Sequence, residues 1–426
     1  LRPDSTDADE VDLLDLDRWA AEGPPHDWFA RKRAESPVWR HPGPDGSRGF
    51  WVVSDHEHVT ALGRCPHVMS SDEDNGGIVG LGPGDELQAA FDASNAELAA
   101  IGLHDNDAKM LLSLDPPEHT DYREVINRFF SKPKMARLEP LIRRDTVALL
   151  QPLIDSGETD IAADFAHRIP AYVFAEFFNL PRELAMTIRE VTKIYVAAIM
   201  DVDDEVVKQY SMRLYDIARS VIAQREAEPM DPDEDLTTAL LAARPNGQPL
   251  PPEMVLGCVR QLLVTGMVAP AVFIGTMFAH LAGDPALHQQ LRANPSLIPA
   301  ALEEYLRLFT PYRGMSRTPK EDVVIHGQTI RTDEPIALVY ASANRDEAVF
   351  PDGDRFILNR PNIKDHIAFG RGIHQCAGIP LARLMLGIAL EEFVLRTEHC
   401  ELAGPVKMAR WAEWGTTSVP LRVRGV

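Results

Sequence analysis

The sequence predicts a mainly α-helical protein with small β-sheets, folded as a single domain over residues 1–426. Three observations carry that reading. Apolar residues recur at three- and four-residue spacing through most of the chain beyond about residue 120. Strand-like runs are short and few. No internal repeat or low-complexity linker divides the chain, and an apolar fraction of 45 % supplies a sizeable core.

Taken in order, residues 1–11 (LRPDSTDADEV) read as an extended or disordered acidic tail. The opening segment has no apolar stretch of the signal-peptide type, so a cytoplasmic location is expected. Gly49–Val53 reads as a strand. Ser70–Asn106 is rich in Gly and Asp and poorly periodic, like the irregular loops that serve as lids. Helical patterning marks Met135–Ile154, Glu183–Met200, Asp203–Glu226 and Pro252–Ala282. Strands are expected within Asp322–Thr332, Ile336–Tyr340 and Val419–Val423. Inside the fourth helix, Leu262–Ala279 carries no charge and is long enough to span a bilayer. Gly266, Pro270, two threonines and the polar start at Arg260 and Gln261 favour instead a helix running through a large core. No membrane partner is expected.

Charge and cysteine content narrow the function. The chain has 43 basic and 64 acidic residues, a formal net charge of −21, which argues against nucleic acid as a partner. Cys65, Cys258, Cys376 and Cys400 include no C-x-x-C pair. A disulfide framework, a zinc ribbon and a thioredoxin-like site are therefore not expected, and the compartment reads as reducing.

The most informative segment is FGRGIHQCAGIPLARLM, Phe369–Met385. A glycine-punctuated loop (Gly370, Gly372) delivers Cys376, followed by Gly378 and a helix expected from about Ala377. A thiolate at a helix start is stabilised by the positive end of the dipole and by free N–H donors. Donors aimed at the sulfur also tune an attached iron, and glycines let the backbone approach a flat macrocycle closely. A structural cysteine buried at a glycine-rich turn is the alternative.

The pattern F-x-x-G-x-x-x-C-x-G, from Phe369 to Gly378, resembles the haem-binding signature of the cytochrome P-450 family. The resemblance runs from about Asp12 to the end of the chain, in sequence order. It implies the cytochrome P-450 fold, with haem b (iron-protoporphyrin IX) buried between the long central helix and the cysteine loop. It implies Cys376 as the iron ligand, with Phe369, Gly370, Ala377 and Gly378 around the group. EEYLR supplies Glu304 and Arg307 as the family's E-x-x-R pair, and PDGDRF places Arg355 as the second arginine on that glutamate. DPPEHTDYR maps His119 and Arg123 to the haem propionates, joined by Arg317 of GMSRT and by His374; such donors suit carboxylates. Each of these cations read alone is an ordinary surface charge.

One segment departs from the family. Where the central helix usually carries an acid followed by threonine, Thr265-Gly266-Met267-Val268-Ala269-Pro270 has Val268 and Ala269. Both proton-relay groups are absent. Pro270 lacks an N–H, so a continuous helix would be kinked there and the Gly266 carbonyl orphaned. Thr265, water or substrate is expected to satisfy that carbonyl; Pro270 then either simply bends a core helix or opens a water-bearing groove beside the iron. Three mechanisms stay open: monooxygenation with protons from substrate or water, direct use of peroxide, and chemistry other than hydroxylation such as oxidative coupling or rearrangement. A non-catalytic haem protein is the reading from another class.

The resemblance also implies a small apolar or amphipathic substrate, such as a terpenoid, steroid, lipid or other secondary metabolite. Met267, Val268, Ala269 and Val272 would give it an apolar wall. Electrons would come from a ferredoxin and ferredoxin reductase; Arg123, Arg128, Lys132, Lys134 and Arg137 form a local basic cluster that is either the donor's docking surface or a solvated helix face. Three other patterns carry no such chemistry. Asp201–Asp204 reads as an interhelical turn, Gly80–Gly84 lacks the strand–helix context of a dinucleotide loop, and His56-Glu57-His58 lacks zinc-protease spacing.

Overall fold

The computed structural model describes residues 11–43, 49–72, 111–201, 203–410 and 413–426. The first ten residues of the expected tail, nearly all of the Ser70–Asn106 loop, and Gly80–Gly84 lie outside them. Val11, placed in the tail by the sequence, is buried in an apolar cluster with Leu13, Trp19 and Trp28.

Three of the four expected helices form almost as read: Lys132–Ser156, Arg182–Met200 and Asp204–Ala227. The first ends at Gly157 in the left-handed conformation. The third is capped by Asp203, whose side chain accepts from the Val206 N–H; Asp201 and Asp203 lie outside the helices, as the expected Asp201–Asp204 turn requires, while Asp204 is already the first helical residue.

The fourth does not form as read. Instead of one long helix there are two, Pro252–Val264 and Val268–Gly283, separated at Thr265–Met267. Gly266 has φ +95°, which only glycine adopts readily, and a Cβ there would lie 2.7 Å from Phe174 Cε2. Pro270 therefore falls in the first turn of a new helix, where backbone N–H groups have no intrahelical acceptor. The expected proline kink is replaced by a complete interruption centred on glycine. The second helix buries every residue from Ala271 to Phe278. The long apolar run is thus mostly interior, with 61 % of its most apolar window buried in the protein.

The second helix stacks Phe278 on Phe393 of the helix Ile379–Arg396, with ring centroids 4.1 Å apart and 15° between planes. That helix also packs on Lys132–Ser156 and on Ile298–Leu308. The largest sheet runs in the order Val38–His41, Phe50–Val53, Ile336–Leu338, Met315–Pro319 and Met69–Ser70. Its one parallel pair joins Trp51–Val53 to Ile336–Leu338, and Arg317 pairs antiparallel with Ile336. The expected strand Asp322–Thr332 is a hairpin of Val323–Ile325 and Gln328–Ile330. The last strand, Pro420–Gly425, lies between Glu158–Asp160 and Thr397–Leu402.

Candidate active site

The cysteine loop closes on itself: the Cys376 N–H donates to the Phe369 carbonyl at 3.0 Å, with Gly370 and Gly372 both at positive φ. Gly372 has a clear steric role, since a Cβ there would sit 1.9 Å from the Gly63 carbonyl. That glycine serves a crossing of two protein backbones. Ala377 is half-buried, and the following helix begins at Ile379 with Gly378 as its cap, two residues later than read.

Cys376 has accessible surface although protein encloses it on nearly every side, so the thiol faces a recess in the protein. Burial pushes the thiol pKa up. The Gly378 N–H, donating to the sulfur, and the Arg123 guanidinium oppose this without reversing it. The expected stabilisation by the helix start is real but insufficient alone. A cation bound at the sulfur would complete it.

Four sequence-predicted residues converge beside the thiol. His119 and His374 lie with ring centroids 4.3 Å apart, and the Nε2 atoms of both are buried without a hydrogen-bond partner. Arg317 is buried and donates to the Ser316 carbonyl at 2.7 Å. Arg123 donates to Asn127 Oδ1 at 2.8 Å and to the Gln375 carbonyl next to Cys376. Burial first, then Arg123, holds His119 down at about 4. Burial first, then Arg317 and His119, holds His374 down at about 3. The nearby acid, Asp115, is already engaged by Ser70 Oγ (2.7 Å), the Ser71 N–H (2.9 Å) and Lys320 (2.7 Å). Two arginines and two histidines thus converge with their carboxylate neighbour committed elsewhere. Two buried imidazole nitrogens without partners, with two guanidinium groups beside them and an enclosed thiol, fit a thiolate-bound group bearing carboxylates, as haem b does.

The Thr265–Pro270 segment shares no hydrogen bond with this set among the described residues. The Thr265 hydroxyl and N–H both donate to the Gln261 carbonyl, at 3.0 and 2.9 Å, so Thr265 does not serve Gly266 as expected. Met267 is buried; Val268, Ala269 and Pro270 are half-buried. Val272 is fully buried and a Cβ on Gly415 would lie 2.8 Å from its own, so it packs under that turn and not along an open wall.

The glutamate–arginine cluster is corrected in one member. Glu304 and Arg307 are buried and doubly bonded at 2.8 and 2.9 Å. The second arginine is Arg360, whose Nε lies 3.2 and 3.3 Å from the two Glu304 oxygens. Arg355 is exposed and contributes its carbonyl, which accepts from Arg307 and Arg360.

Sequence reasoning missed three further groups, all assembled from distant segments. Glu303 binds Arg383 (2.6 and 2.7 Å) and His366 (3.0 Å), tying the helix Ile298–Leu308 to the two flanks of the cysteine loop. Tyr340 is buried, with its hydroxyl 3.3 Å from where a Cβ on Gly370 would lie. Glu413 is buried beside the Tyr312 phenol, and the two residues also form an isolated antiparallel backbone bridge. The Glu413 carboxylate, then burial and more weakly Cys376, raise the Tyr312 pKa well above its ordinary value. Only the E-E pair at 303–304 hinted at any of them.

Residues 88–407 match the Cytochrome P450 family. A linalool 8-monooxygenase of Pseudomonas putida is 32 % identical over 400 residues, 91 % of this chain and 92 % of its own. A mycinamicin IV hydroxylase/epoxidase of Micromonospora griseorubida is 33 % identical over 318 residues, 74 % of this chain and 78 % of its own. The crystal structure of CYP108D1 from Novosphingobium aromaticivorans superposes with a TM-score of 0.85 at 25 % identity, covering 96 % of this chain and 97 % of that one. The chain defines a haem-thiolate oxidoreductase of the monooxygenase class. It belongs to the cytochrome P450 family, among its bacterial members.

Proposed function

We propose that this P450 oxidises a terpenoid-sized or larger secondary metabolite, with Cys376 as the iron ligand and protons reaching the reaction from substrate or water. The haem, when bound, supplies the iron at which dioxygen is activated. The chain's own residues do the rest. His119, Arg123, Arg317 and His374 would hold the propionates, whose carboxylates suit imidazole and guanidinium donors. The Gly378 N–H holds the sulfur and tunes its donation. Phe369, Gly370 and Ala377 frame the loop around it.

The proton-delivery reading rests on one observation. Val268 and Ala269 offer no titratable or hydroxyl group, and the neighbouring Thr265 hydroxyl is spent on Gln261. The opened backbone at Gly266 supports water or a substrate hydroxyl in that role. Substrate bearing its own donor would then be turned over with better coupling than a hydrocarbon of the same skeleton. The two relatives named above, acting on linalool and on mycinamicin IV, make oxygenated substrates the natural first screen.

The whole chain is read as one domain. Electron donors are read as a ferredoxin and its reductase, and the compartment as cytoplasm, with all four cysteines unpaired. The basic cluster proposed to receive the donor is reduced by Glu234, which binds Arg137 at 2.8 Å and lies 3.9 Å from Lys134. Arg128 and Lys132 remain as exposed members.

The test compares coupling efficiency, product formed per electron pair consumed, for linalool and for its hydroxyl-free analogue myrcene. It uses a surrogate ferredoxin system and, separately, hydrogen peroxide. Better coupling for the alcohol supports substrate-assisted delivery. Equal coupling for both compounds points to water alone, and turnover supported by peroxide but not by ferredoxin would replace this mechanism.

A further inference from the structure

Away from the cysteine loop, one group of side chains is left unexplained by haem chemistry. Asp55, His58 and His326 each direct a ligand-type atom to one spot, all within 4.8 Å of one another. Asp55 caps the helix His56–Gly63, its Oδ1 accepting from the His58 N–H at 3.0 Å and lying 2.7 Å from His58 Nδ1. Its other oxygen, Oδ2, is buried without a hydrogen-bond partner and lies 3.9 Å from His326 Nε2. His326 comes from a distant segment, at the turn of the hairpin Val323–Ile330, and its ring centroid is 4.3 Å from that of His58.

A helix cap explains His58 alone. It does not explain a buried carboxylate oxygen without a partner, nor a second imidazole brought to it across the fold. The turn adds to this: His326 (φ +48°) and Gly327 (φ +73°) both have positive φ, a geometry that Asn-Gly meets more readily than His-Gly. Two imidazoles and one carboxylate are the donor set of zinc-type ions. The separations are 2.7 Å from Asp55 Oδ1 to His58 Nδ1 and 3.9 Å from Asp55 Oδ2 to His326 Nε2, with the three ligand atoms within 4.8 Å. A tetrahedral zinc with bonds near 2.0–2.1 Å needs roughly 3.3 Å between ligands, so the three side chains would adjust slightly around the ion. His58 and His326 are partly exposed, with side chains at 29 % and 43 % accessibility, which leaves a face for a water as fourth ligand.

We propose that Asp55, His58 and His326 bind one divalent transition-metal ion of the zinc class, clamping the hairpin Val323–Ile330 to the start of the helix His56–Gly63. The other end of that helix abuts Gly372 of the cysteine loop, so the clamp braces a support of the haem site. The proposal does not depend on which substrate the enzyme oxidises.

The test uses the full chain, haem-loaded and freed of adventitious metal with chelator, titrated with zinc chloride by calorimetry. One site per chain is expected. His58→Ala should weaken it at least tenfold, as should His326→Asn, in which the turn keeps a residue it accepts. The double variant should abolish it. Cys65→Ser, removing the thiol just beyond the helix, should change nothing. Zinc-edge X-ray absorption should show nitrogen and oxygen neighbours with two imidazoles and no sulfur. Absence of a site in the wild type, or equal affinity in the double variant, would overturn the proposal, the latter showing adventitious binding elsewhere.

Discussion

Arg360 Nε sits within 3.3 Å of both carboxylate oxygens of Glu304, completing a buried triad with Arg307. Five residues earlier, Arg355 offers that triad only its backbone carbonyl. Removing one partner of a buried ion pair strands the other, typically at about 3–5 kcal/mol. Arg360→Ala should therefore lower the melting temperature strongly and release haem. Arg355→Ala, which keeps the carbonyl, should cost less than about 0.5 kcal/mol. Melting curves of the two variants side by side distinguish the assignments.

Cys376→Ala should remove the thiolate while leaving the propionate donors in place. The reduced carbon monoxide difference spectrum of the wild type should show the strongly red-shifted Soret band of thiolate ligation, and the variant should lack it. A red-shifted band that persists in the variant would move the iron ligand elsewhere.

The interruption between Val264 and Val268 makes opposite predictions for two neighbouring residues. Gly266→Ala places a Cβ against the Phe174 ring at positive φ, a strain of about 1–3 kcal/mol. Pro270→Ala, in a first turn that needs no N–H bond, should change stability by less than about 1 kcal/mol. A large effect of Pro270→Ala in chemical denaturation would show a continuous, kinked helix instead.

Glu303 gives a pH-dependent contribution. Burial would raise its pKa, but hydrogen bonds from His366 and Arg383 outweigh this and hold it at about 2, below the ordinary 4.5. The folded state binds the proton more weakly than the unfolded chain, so this stabilisation is present above about pH 4.5 and is lost as pH falls toward 2. Its size is on the order of 3 kcal/mol. Glu303→Gln should be less stable at neutral pH and show a shallower loss of stability between pH 4.5 and 2, read by denaturant titration at each pH.

The parts of the site legible in the sequence are those written locally. Glycines at fixed offsets announce the turn that carries Cys376, and Glu304 and Arg307 share a helix face by their spacing. His119, Arg123, Arg317 and His374 were found through resemblance, and they do come together. Arg360 was missed because Pro351–Arg360 is irregular, and no periodicity says which of its two arginines turns inward. The interruption at Thr265–Met267 was missed because apolar residues continue straight through it, while the clash that requires Gly266 comes from Phe174, far away in the chain. Tyr312 with Glu413, and Glu303 with His366, exist only once separate segments meet.

The two half-helices meeting at Gly266 have a polarity of their own. The first ends with outward carbonyls, carrying partial negative charge, and the second begins with outward N–H groups, carrying partial positive charge. An apolar stretch of sequence thereby ends one helix and starts the next with only Thr265–Met267 between the acceptor edge and the donor edge, without any ionisable side chain. For the proton delivery proposed above, such a seam would suit a hydroxyl, which both gives and accepts, better than a plain hydrocarbon. Its character is set by main-chain atoms, so substitutions at Val268 and Ala269 can reshape the space beside it while leaving that two-signed character intact.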